Sequence, residues 1–212
     1  MDCKGIIFDV DGTLLASSHV WEQVDEEFVK KYNLTKGDDF CELLKPLSYD
    51  ESVAFFVRYF RLDMTEEEVS RIFLDMVSEQ YRSRIEPKCG AVGFVRQCAR
   101  SGIKMCAATA GIKPLAEAAL KRTGILESLE FIITCDEVGA GKQSPLVYLT
   151  AARRMGLSPE EVVVFEDPLH CILTAAGAGF GTVAVSNGQP DDEQEAIRLA
   201  ADRFITDYSE LL

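Results

Sequence analysis

The sequence has 212 residues, of which 47% are hydrophobic, so it can bury the core of one large domain or of a domain with a smaller insert. Its net charge of −13 argues against a nucleic acid or an anionic membrane surface as a partner. The seven cysteines form no Cys-x-x-Cys motif and no apolar run approaches the length of a membrane span, so we expect a cytoplasmic protein without a disulfide framework, a zinc site or a membrane segment.

The first predicted strand ends in two carboxylates. An apolar run from Gly5 to Phe8 is followed by Asp9, Asp11 and Gly12, with one valine between the two aspartates. On an extended backbone, side chains at positions i and i+2 point to the same side, so we predict that Asp9 and Asp11 face one small volume. Two carboxylates so close need a cation or a proton, which indicates a bound metal or acid–base chemistry. An ordinary acidic Asp-Gly turn is the alternative that this stretch alone leaves open.

Residues 16–84 have the periodicity of helices. Apolar residues recur at every fourth position from Val20 to Tyr32, and an aromatic run extends from Ser52 to Tyr59. A third run begins with the capping-box pattern Thr65-x-x-Glu68. No strand is predicted in this stretch, which we therefore interpret as a separate helical domain.

From residue 85 onward, short apolar runs alternate with helical patterns. The alternation is typical of βαβ units and predicts an α/β fold, in which residues 1–15 and 85–212 form a Rossmann-like parallel sheet flanked by helices. The site of such a sheet lies beyond the carboxyl ends of its strands. After the first strand, we predict strands at 104–109, 131–134, 161–165, 182–185 and 204–206, and helices at 92–101, 114–124, 146–155 and 172–178.

Polar side chains stand where these predicted strands end. Thr109 ends one strand, the pair Glu166-Asp167 follows another, and Lys142 lies in the loop after the strand at 131–134. Taken singly, Thr109 could cap a helix, Lys142 could be a solvated loop lysine, and the acidic pair could form a turn. Because all of them lie at strand ends in one βαβ domain, we expect them to meet at one edge of the sheet.

This set of groups indicates phosphoryl transfer. A phosphate monoester carries nearly two negative charges, so it repels a carboxylate nucleophile unless cations neutralise it. A magnesium ion held by carboxylates would supply most of that neutralisation, and Lys142 would add a further positive charge. Asp9 would attack in line to form an aspartyl-phosphate, and Asp11 would protonate the leaving oxygen and then activate water.

The motif Asp9-Val10-Asp11-Gly12-Thr13 resembles the first signature of the haloacid dehalogenase (HAD) superfamily, and Thr109, Lys142 and Glu166-Asp167 resemble the second, third and fourth in order. The resemblance covers nearly the whole chain. The helical insert resembles the mobile C1 cap of the β-phosphoglucomutase-like phosphatases. The resemblance thus implies a HAD core with an inserted α-helical cap domain at residues 16–84.

The same resemblance assigns roles to individual residues. It implies that Asp9 is the nucleophile and a Mg²⁺ ligand, and that Asp11 is the general acid and base and a ligand through its carbonyl. Asp167 would complete the metal site, and Glu166 would be an outer or second metal carboxylate. The residues implied to bind the phosphoryl group are Thr109, Ala110 and Lys142.

Some positions depart from the family pattern. Ala16 stands where relatives usually carry Asp, and Gln143, Ser144 and Leu146 replace part of the motif around Lys142. Pro168 and Cys171 replace the usual Ser and Gly after the last acidic pair. Because such neighbours orient the residues that touch a metal or phosphate, these departures bear on the catalytic rate.

We therefore predict a Mg²⁺-dependent phosphatase that hydrolyses a small phosphorylated metabolite, and more specifically a sugar phosphate. A sugar-phosphate mutase is the first alternative, although Trp21 occupies the position where similar mutases carry a histidine; a catalytically weak phospho-ligand binding protein is the second. Residues His19, Trp21, Lys45 and Ser48 are the candidates for substrate contacts from the cap. We expect a monomer or a weak dimer.

Overall fold

The computed structural model describes residues 3–212 and has a six-stranded parallel sheet at its centre. The strand order is β3-β2-β1-β4-β5-β6, so β1 lies in the middle of the sheet. The predicted α/β fold with a parallel sheet is confirmed. The strands are β1 (Gly5–Phe8), β2 (Lys104–Thr109), β3 (Ile132–Thr134), β4 (Val162–Glu166), β5 (Gly181–Val185) and β6 (Arg203–Ile205).

Alternate residues of β1 pack into two different layers. Ile6 and Phe8 belong to the cluster that contains Phe94, whereas Ile7 belongs to the cluster that contains Tyr148 on the other face. All three β1 side chains are fully buried, because both faces of the sheet are covered by helices. The core helices are α5 (Ala91–Arg100), α6 (Lys113–Arg122), α7 (Cys135–Val138), α8 (Leu146–Met155), α9 (Leu169–Gly177) and α10 (Asp191–Ala200).

Two of these helices are absent from the sequence prediction. The short helix α7 occupies part of the stretch that we predicted as a loop before Lys142, and it is capped by Thr134, whose side chain accepts a hydrogen bond from the Glu137 amide at 3.1 Å. Helix α10 begins after Pro190 with an acidic first turn, which favours a helix N-terminus. A four-residue helix gives almost no periodic signal, whereas the start signals of α10 could have been recognised.

Residues 16–84 form helices and contain no strand in the structure. The helices are α1 (Ser18–Lys31), α2 (Phe40–Leu44), α3 (Tyr49–Tyr59) and α4 (Glu66–Glu79), followed by one π-helical turn (Gln80–Arg84). The predicted capping box of Thr65 and Glu68 is present. Edge-to-face contacts of Phe28 with Phe56 and Phe73 hold the centre of this helical segment together.

The chain leaves and re-enters the core through two adjacent connections. The Ala16 amide donates to the Glu86 carbonyl at 2.9 Å, and the Lys88 amide donates to the Leu14 carbonyl at 2.9 Å. The outgoing and returning segments are therefore paired like two short antiparallel strands. A separate cap domain bounded at residues 16 and 84 stays a prediction. Among the described residues, no helix combines the length and the apolar character needed to cross a membrane.

Candidate active site

The register of the sheet brings the predicted site residues together at its centre. Phe8, the last residue of β1, lies opposite Ala107 of β2 and Phe165 of β4. Asp9 follows directly and is held by its amide, which donates to the Phe165 carbonyl at 2.9 Å. Since Thr109 and Glu166 are the last residues of β2 and β4, both lie beside Asp9 at the carboxyl edge.

The backbone conformation at Asp9 and Asp11 differs from the prediction. We expected them to lie on an extended strand, but β1 ends at Phe8 and both aspartates lie in the turn after it. Gly12 has a φ of 87°, a left-handed value that glycine adopts without strain, and its amide donates to the Leu15 carbonyl at 2.8 Å. Both aspartates nevertheless line the same cavity.

Lys142 joins two of the carboxylates. Its Nζ donates to Oδ1 of Asp9 and, at 2.6 Å, to Oε1 of Glu166, which also accepts a hydrogen bond from the Tyr148 hydroxyl at 2.7 Å. All four side chains are buried. Burial lowers the pKa of Lys142, but the charges of Asp9 and Glu166 outweigh that effect and hold it well above its usual value, so the ammonium group stays charged.

Asp167 is held by residues from two other parts of the chain, and one of these residues is held in turn by Lys88. Its Oδ1 accepts from the Thr13 hydroxyl at 3.2 Å and its Oδ2 from the Asn187 side-chain amide at 2.8 Å. Lys88 donates to the Asn187 side-chain oxygen at 2.8 Å, which fixes that amide with its nitrogen toward Asp167. The Gln189 side chain donates to the Asp167 carbonyl at 3.0 Å. The Asp167 carboxylate is therefore oriented from both sides.

The acidic cluster carries more negative charge than Lys142 can balance. Burial is the main cause that raises the pKa of Glu166 to about 8, with the charges of Asp9 and Asp167 acting in the same direction and that of Lys142 against them. Burial and the charge of Asp9 likewise raise the pKa of Asp167 to about 7. The site thus favours either protons or a further cation among its carboxylates.

A divalent metal fits this donor set. Carboxylate oxygens of Asp9, Glu166 and Asp167 lie within 4.8 Å of one another. Moreover, Oε2 of Glu166 is buried and has no hydrogen-bond partner among residues 3–212. An unpartnered buried carboxylate oxygen is costly unless something else contacts it, and Mg²⁺ prefers oxygen ligands of this kind.

Asp11 stands apart from this cluster. Its carboxylate is absent from the group of three that could share an ion, and its Oδ1 instead accepts from the Ser17 hydroxyl at 2.6 Å and from the Tyr81 hydroxyl. Burial, followed by the charge of Asp9, raises the pKa of Asp11 to about 6, against the hydrogen bonds from Ser17 and Tyr81. A carboxyl group with this pKa can give and take a proton near neutral pH.

Thr109 and the two residues after it form one wall of the cavity. The Thr109 side chain is 1% exposed, and its hydroxyl oxygen accepts from the Gly111 amide at 2.9 Å. The Ala110 carbonyl accepts from the Tyr49 amide at 2.9 Å, which ties the start of α3 in the helical insert to this wall.

A cavity of about 250 Å³ lies between the sheet edge and the insert. Its polar lining includes every predicted catalytic and phosphate-binding residue, whereas aromatic and aliphatic side chains of the insert close its other side. A larger cavity of about 580 Å³ lies against α5 and β6 and is lined by none of the predicted site residues. The smaller cavity is therefore the candidate active site, because Lys142 and the carboxylates of Asp9 and Glu166, all buried, line it.

The four predicted contacts from the insert have different surroundings. Trp21 and Lys45 line the cavity, although Lys45 is exposed and lies 3.4 Å from Glu42. His19 is exposed and does not line the cavity. Ser48 does not line it either: it is the N-cap of α3 and forms a capping box with Glu51, a signature that the sequence contains and that our prediction missed.

The departures from the family pattern lie mostly outside the charged cluster. Ala16 is exposed in the connection, and Gln143, Ser144 and Leu146 belong to the surface turn at the start of α8. Pro168 precedes α9 as its N-cap, and Cys171 is buried in the first turn of that helix. Both line the cavity. None of these replacements affects the residues of the charged cluster itself, which are Asp9, Lys142, Glu166 and Asp167.

A family model for haloacid dehalogenase-like hydrolases matches residues 3–179. The chain belongs to this family. This HAD-like hydrolase is 29% identical over 188 residues to hexitol phosphatase A of Escherichia coli (strain K12), with 88% of this chain and 84% of the relative covered. It is 26% identical over 208 residues to validoxylamine A 7'-phosphate phosphatase of Streptomyces hygroscopicus subsp. limoneus, with 98% and 95% covered.

Solved structures agree with the family. A variant of CbbY from Rhodobacter sphaeroides in complex with xylulose-(1,5)bisphosphate superposes with a TM-score of 0.83 and 25% identity, covering 99% of this chain and 96% of that one. A putative β-phosphoglucomutase from Thermotoga maritima shares the fold, with a TM-score of 0.70 and 20% identity over 95% of this chain and 94% of that one. The predicted superfamily and the predicted enzyme class, a phosphoric monoester hydrolase, are confirmed.

Proposed function

We propose that this HAD-like hydrolase is a Mg²⁺-dependent phosphatase that hydrolyses a small sugar or polyol phosphate through an aspartyl-phosphate on Asp9. The observation that carries the proposal is the buried cluster in which Lys142 contacts Asp9 and Glu166, while carboxylate oxygens of Asp9, Glu166 and Asp167 lie within 4.8 Å of one another. Three clustered carboxylates beside one ammonium group suit the binding of a phosphate only if a divalent cation joins them.

Asp9, Glu166 and Asp167 would hold the metal, which when bound would neutralise charge on the phosphoryl group and so let a carboxylate approach it. Lys142 would hold Asp9 through Oδ1 and add its own charge next to the phosphoryl oxygens. The Thr109 hydroxyl and the amides of the turn after β2 would donate hydrogen bonds from the wall that they form. The phosphoryl group would thus be oriented for attack by Asp9.

In the first half of the reaction, a carboxylate oxygen of Asp9 bonds to phosphorus as the bond from phosphorus to the leaving oxygen breaks. Asp11 gives its proton to that leaving oxygen, and the alcohol departs. In the second half, Asp11 takes a proton from water as the water oxygen bonds to phosphorus. Inorganic phosphate leaves, and the Asp9 carboxylate is restored.

The substrate class is inferred from the cavity and from the relatives. The cavity is small and its far side is closed by the insert, which favours a small metabolite over a phosphoprotein. The names of two relatives describe phosphatases of a hexitol phosphate and of a validoxylamine 7'-phosphate. Both names describe phosphatases of a small phosphorylated metabolite.

Hydrolysis is favoured over mutase activity by the contacts of Trp21. Its indole nitrogen is a donor only and is engaged with the Tyr81 hydroxyl at 2.6 Å. Because an indole nitrogen has no basic lone pair, Trp21 cannot act as the second acid or base that a mutase would need there. A screen with and without a sugar bisphosphate as primer separates the two activities.

The test is phosphate release from a panel of phosphorylated metabolites with Mg²⁺ and then with EDTA. We expect turnover of sugar or polyol phosphates that EDTA abolishes and added Mg²⁺ restores. Asp9→Asn should abolish turnover without unfolding the protein, while Asp192→Asn, the same change on the exposed first turn of α10, should leave it intact. Activity retained by Asp9→Asn, or indifference to EDTA, would refute the proposal, and an inert parent enzyme would favour a phospho-ligand binding protein.

A further inference from the structure

A chain of hydrogen bonds connects the helical insert to Asp11. The Trp21 indole nitrogen donates to the Tyr81 hydroxyl oxygen at 2.6 Å, and the Tyr81 hydroxyl donates to Oδ1 of Asp11. The donor directions follow from chemistry: an indole N–H can only donate, so the single proton of Tyr81 is left for the carboxylate. Ser17 donates to the same Oδ1 at 2.6 Å.

The two aromatic residues come from the two ends of the insert. Trp21 lies in α1, just after the outgoing connection, and Tyr81 lies in the π-helical turn Gln80–Arg84 that leads back to the core. Tyr81 is 1% exposed and does not line the cavity. Single π-helical turns often occur at functional sites. This turn carries the tyrosine whose hydroxyl reaches Asp11.

The second oxygen of Asp11 lies near the cavity wall that follows β2. A Cβ placed on Gly111 would lie 3.1 Å from Oδ2 of Asp11 and 3.2 Å from the Thr109 hydroxyl oxygen. Oδ2 therefore lies against the same backbone segment as Thr109, next to the space that a phosphoryl group would occupy. With Oδ1 occupied by two donors, Oδ2 is the oxygen available to exchange a proton with the reaction.

We propose that Tyr81, held by Trp21, is a positioning residue that fixes the Asp11 carboxylate so that Oδ2 faces the leaving oxygen; this inference rests on the proposed function. A phenylalanine ring would fill the same buried space, so the hydroxyl contributes hydrogen bonds and not volume. Because proton transfer requires hydrogen-bond geometry to the reacting oxygen, a carboxylate free to rotate would lose acid catalysis without losing substrate binding.

The test compares two phosphate monoesters whose cleavage depends to different degrees on protonation of the leaving oxygen by Asp11. Sorbitol 6-phosphate has an alcohol leaving group that must be protonated, whereas p-nitrophenyl phosphate has a stable phenolate leaving group. For Tyr81→Phe we expect kcat on sorbitol 6-phosphate to fall about 10- to 100-fold, a part of the 100- to 10,000-fold that positioned acid–base catalysis contributes. The KM for both esters and kcat on p-nitrophenyl phosphate should change little.

Tyr59→Phe is the matched control. It makes the same substitution in the insert and removes hydrogen bonds from the Gly37 amide at 2.9 Å and to Asp39 at 3.2 Å, but it touches nothing in the site. We expect it to behave as the parent on both esters. A selective loss in Tyr81→Phe alone supports the inference, whereas an equal loss on both esters, or a change confined to KM, overturns it.

A crystal structure of Tyr81→Phe separates this inference from the proposed function. We expect the Asp11 carboxylate to leave its position against Gly111 while the fold of α4 is retained. If the parent hydrolyses neither ester, nor any other alkyl phosphate of the panel, the proposed function fails, and the crystal structure alone decides the positioning claim. An Asp11 carboxylate unmoved in Tyr81→Phe would overturn that claim.

Discussion

Replacing Glu166 by glutamine tests the electrostatic account of the acidic cluster. The side chain keeps its shape, and its oxygen can still accept from Lys142 and Tyr148 at the position of Oε1. What is lost is a titratable group that is buried beside two other carboxylates. The expected consequence concerns the pH dependence of the free energy of unfolding in the metal-free protein.

The sign follows from the two pKa values of Glu166. In the unfolded chain a glutamate ionises near 4.5, whereas in the folded protein burial raises the pKa to about 8. Between these values the folded state holds a proton that the unfolded state has released, so stability falls as pH rises, by about 1.4 kcal/mol per pH unit for one proton. From pH 6 to pH 8 the loss due to Glu166 is at most about 3 kcal/mol, since the group is already partly ionised near its pKa.

The assay is urea unfolding in EDTA at pH values from about 5.5 to about 8.5, in steps of about half a pH unit, because this range spans the expected transition. Glu166→Gln should show a shallower fall than the parent, although not a flat line, because burial and the Asp9 charge also raise the pKa of Asp167 to about 7. Glu161→Gln is the control: hydrogen bonds from Lys4 and Ser158 lower the pKa of Glu161 to about 2, so it stays ionised throughout. Equal slopes in the parent and in Glu166→Gln would refute the reasoning.

Two further predictions concern the metal site and the contact between insert and core. Asn187→Ala removes the donor to Oδ2 of Asp167, so the Mg²⁺ concentration for half-maximal activity should rise about 10- to 100-fold; an unchanged Mg²⁺ titration would contradict the orienting role. Gly141→Ala would place a Cβ 2.5 Å from the Pro46 carbonyl oxygen of the insert, so kcat/KM should fall. The control is Gly177→Ala, which should match the parent because its Cβ would meet nothing within 4 Å. Parent-like kinetics in Gly141→Ala would show that this contact is dispensable.

The sheet and the convergence of the site residues could be predicted from the sequence because each rests on a local pattern. Runs of β-branched and aromatic residues such as Val162–Phe165 identify strands, and the carboxyl ends of parallel strands meet at one edge. The basis for placing Asp9 beside Asp11 was wrong in detail, since β1 ends earlier than expected and a turn at Gly12 brings them to one cavity.

The residues that orient the site could not be predicted in the same way. Asn187 and Tyr81 are 20 and 70 residues away from the carboxylates they contact. No local pattern distinguishes such a residue from any other amide or tyrosine, because its role depends on how distant segments pack. Ser48 differs: its capping box with Glu51 follows the same spacing that we recognised at Thr65, so it could have been assigned to the start of α3.

The central claim is that Asp9 becomes phosphorylated during turnover. The most direct measurement is mass spectrometry of peptides after acid quenching of the enzyme with a sugar phosphate and Mg²⁺, using Asp11→Asn to slow the attack of water on the intermediate. We expect one added phosphoryl group on the peptide that contains Asp9, and none in Asp9→Asn. Phosphoryl transfer to any other residue, or turnover with no phosphorylated enzyme in either form, would contradict the account.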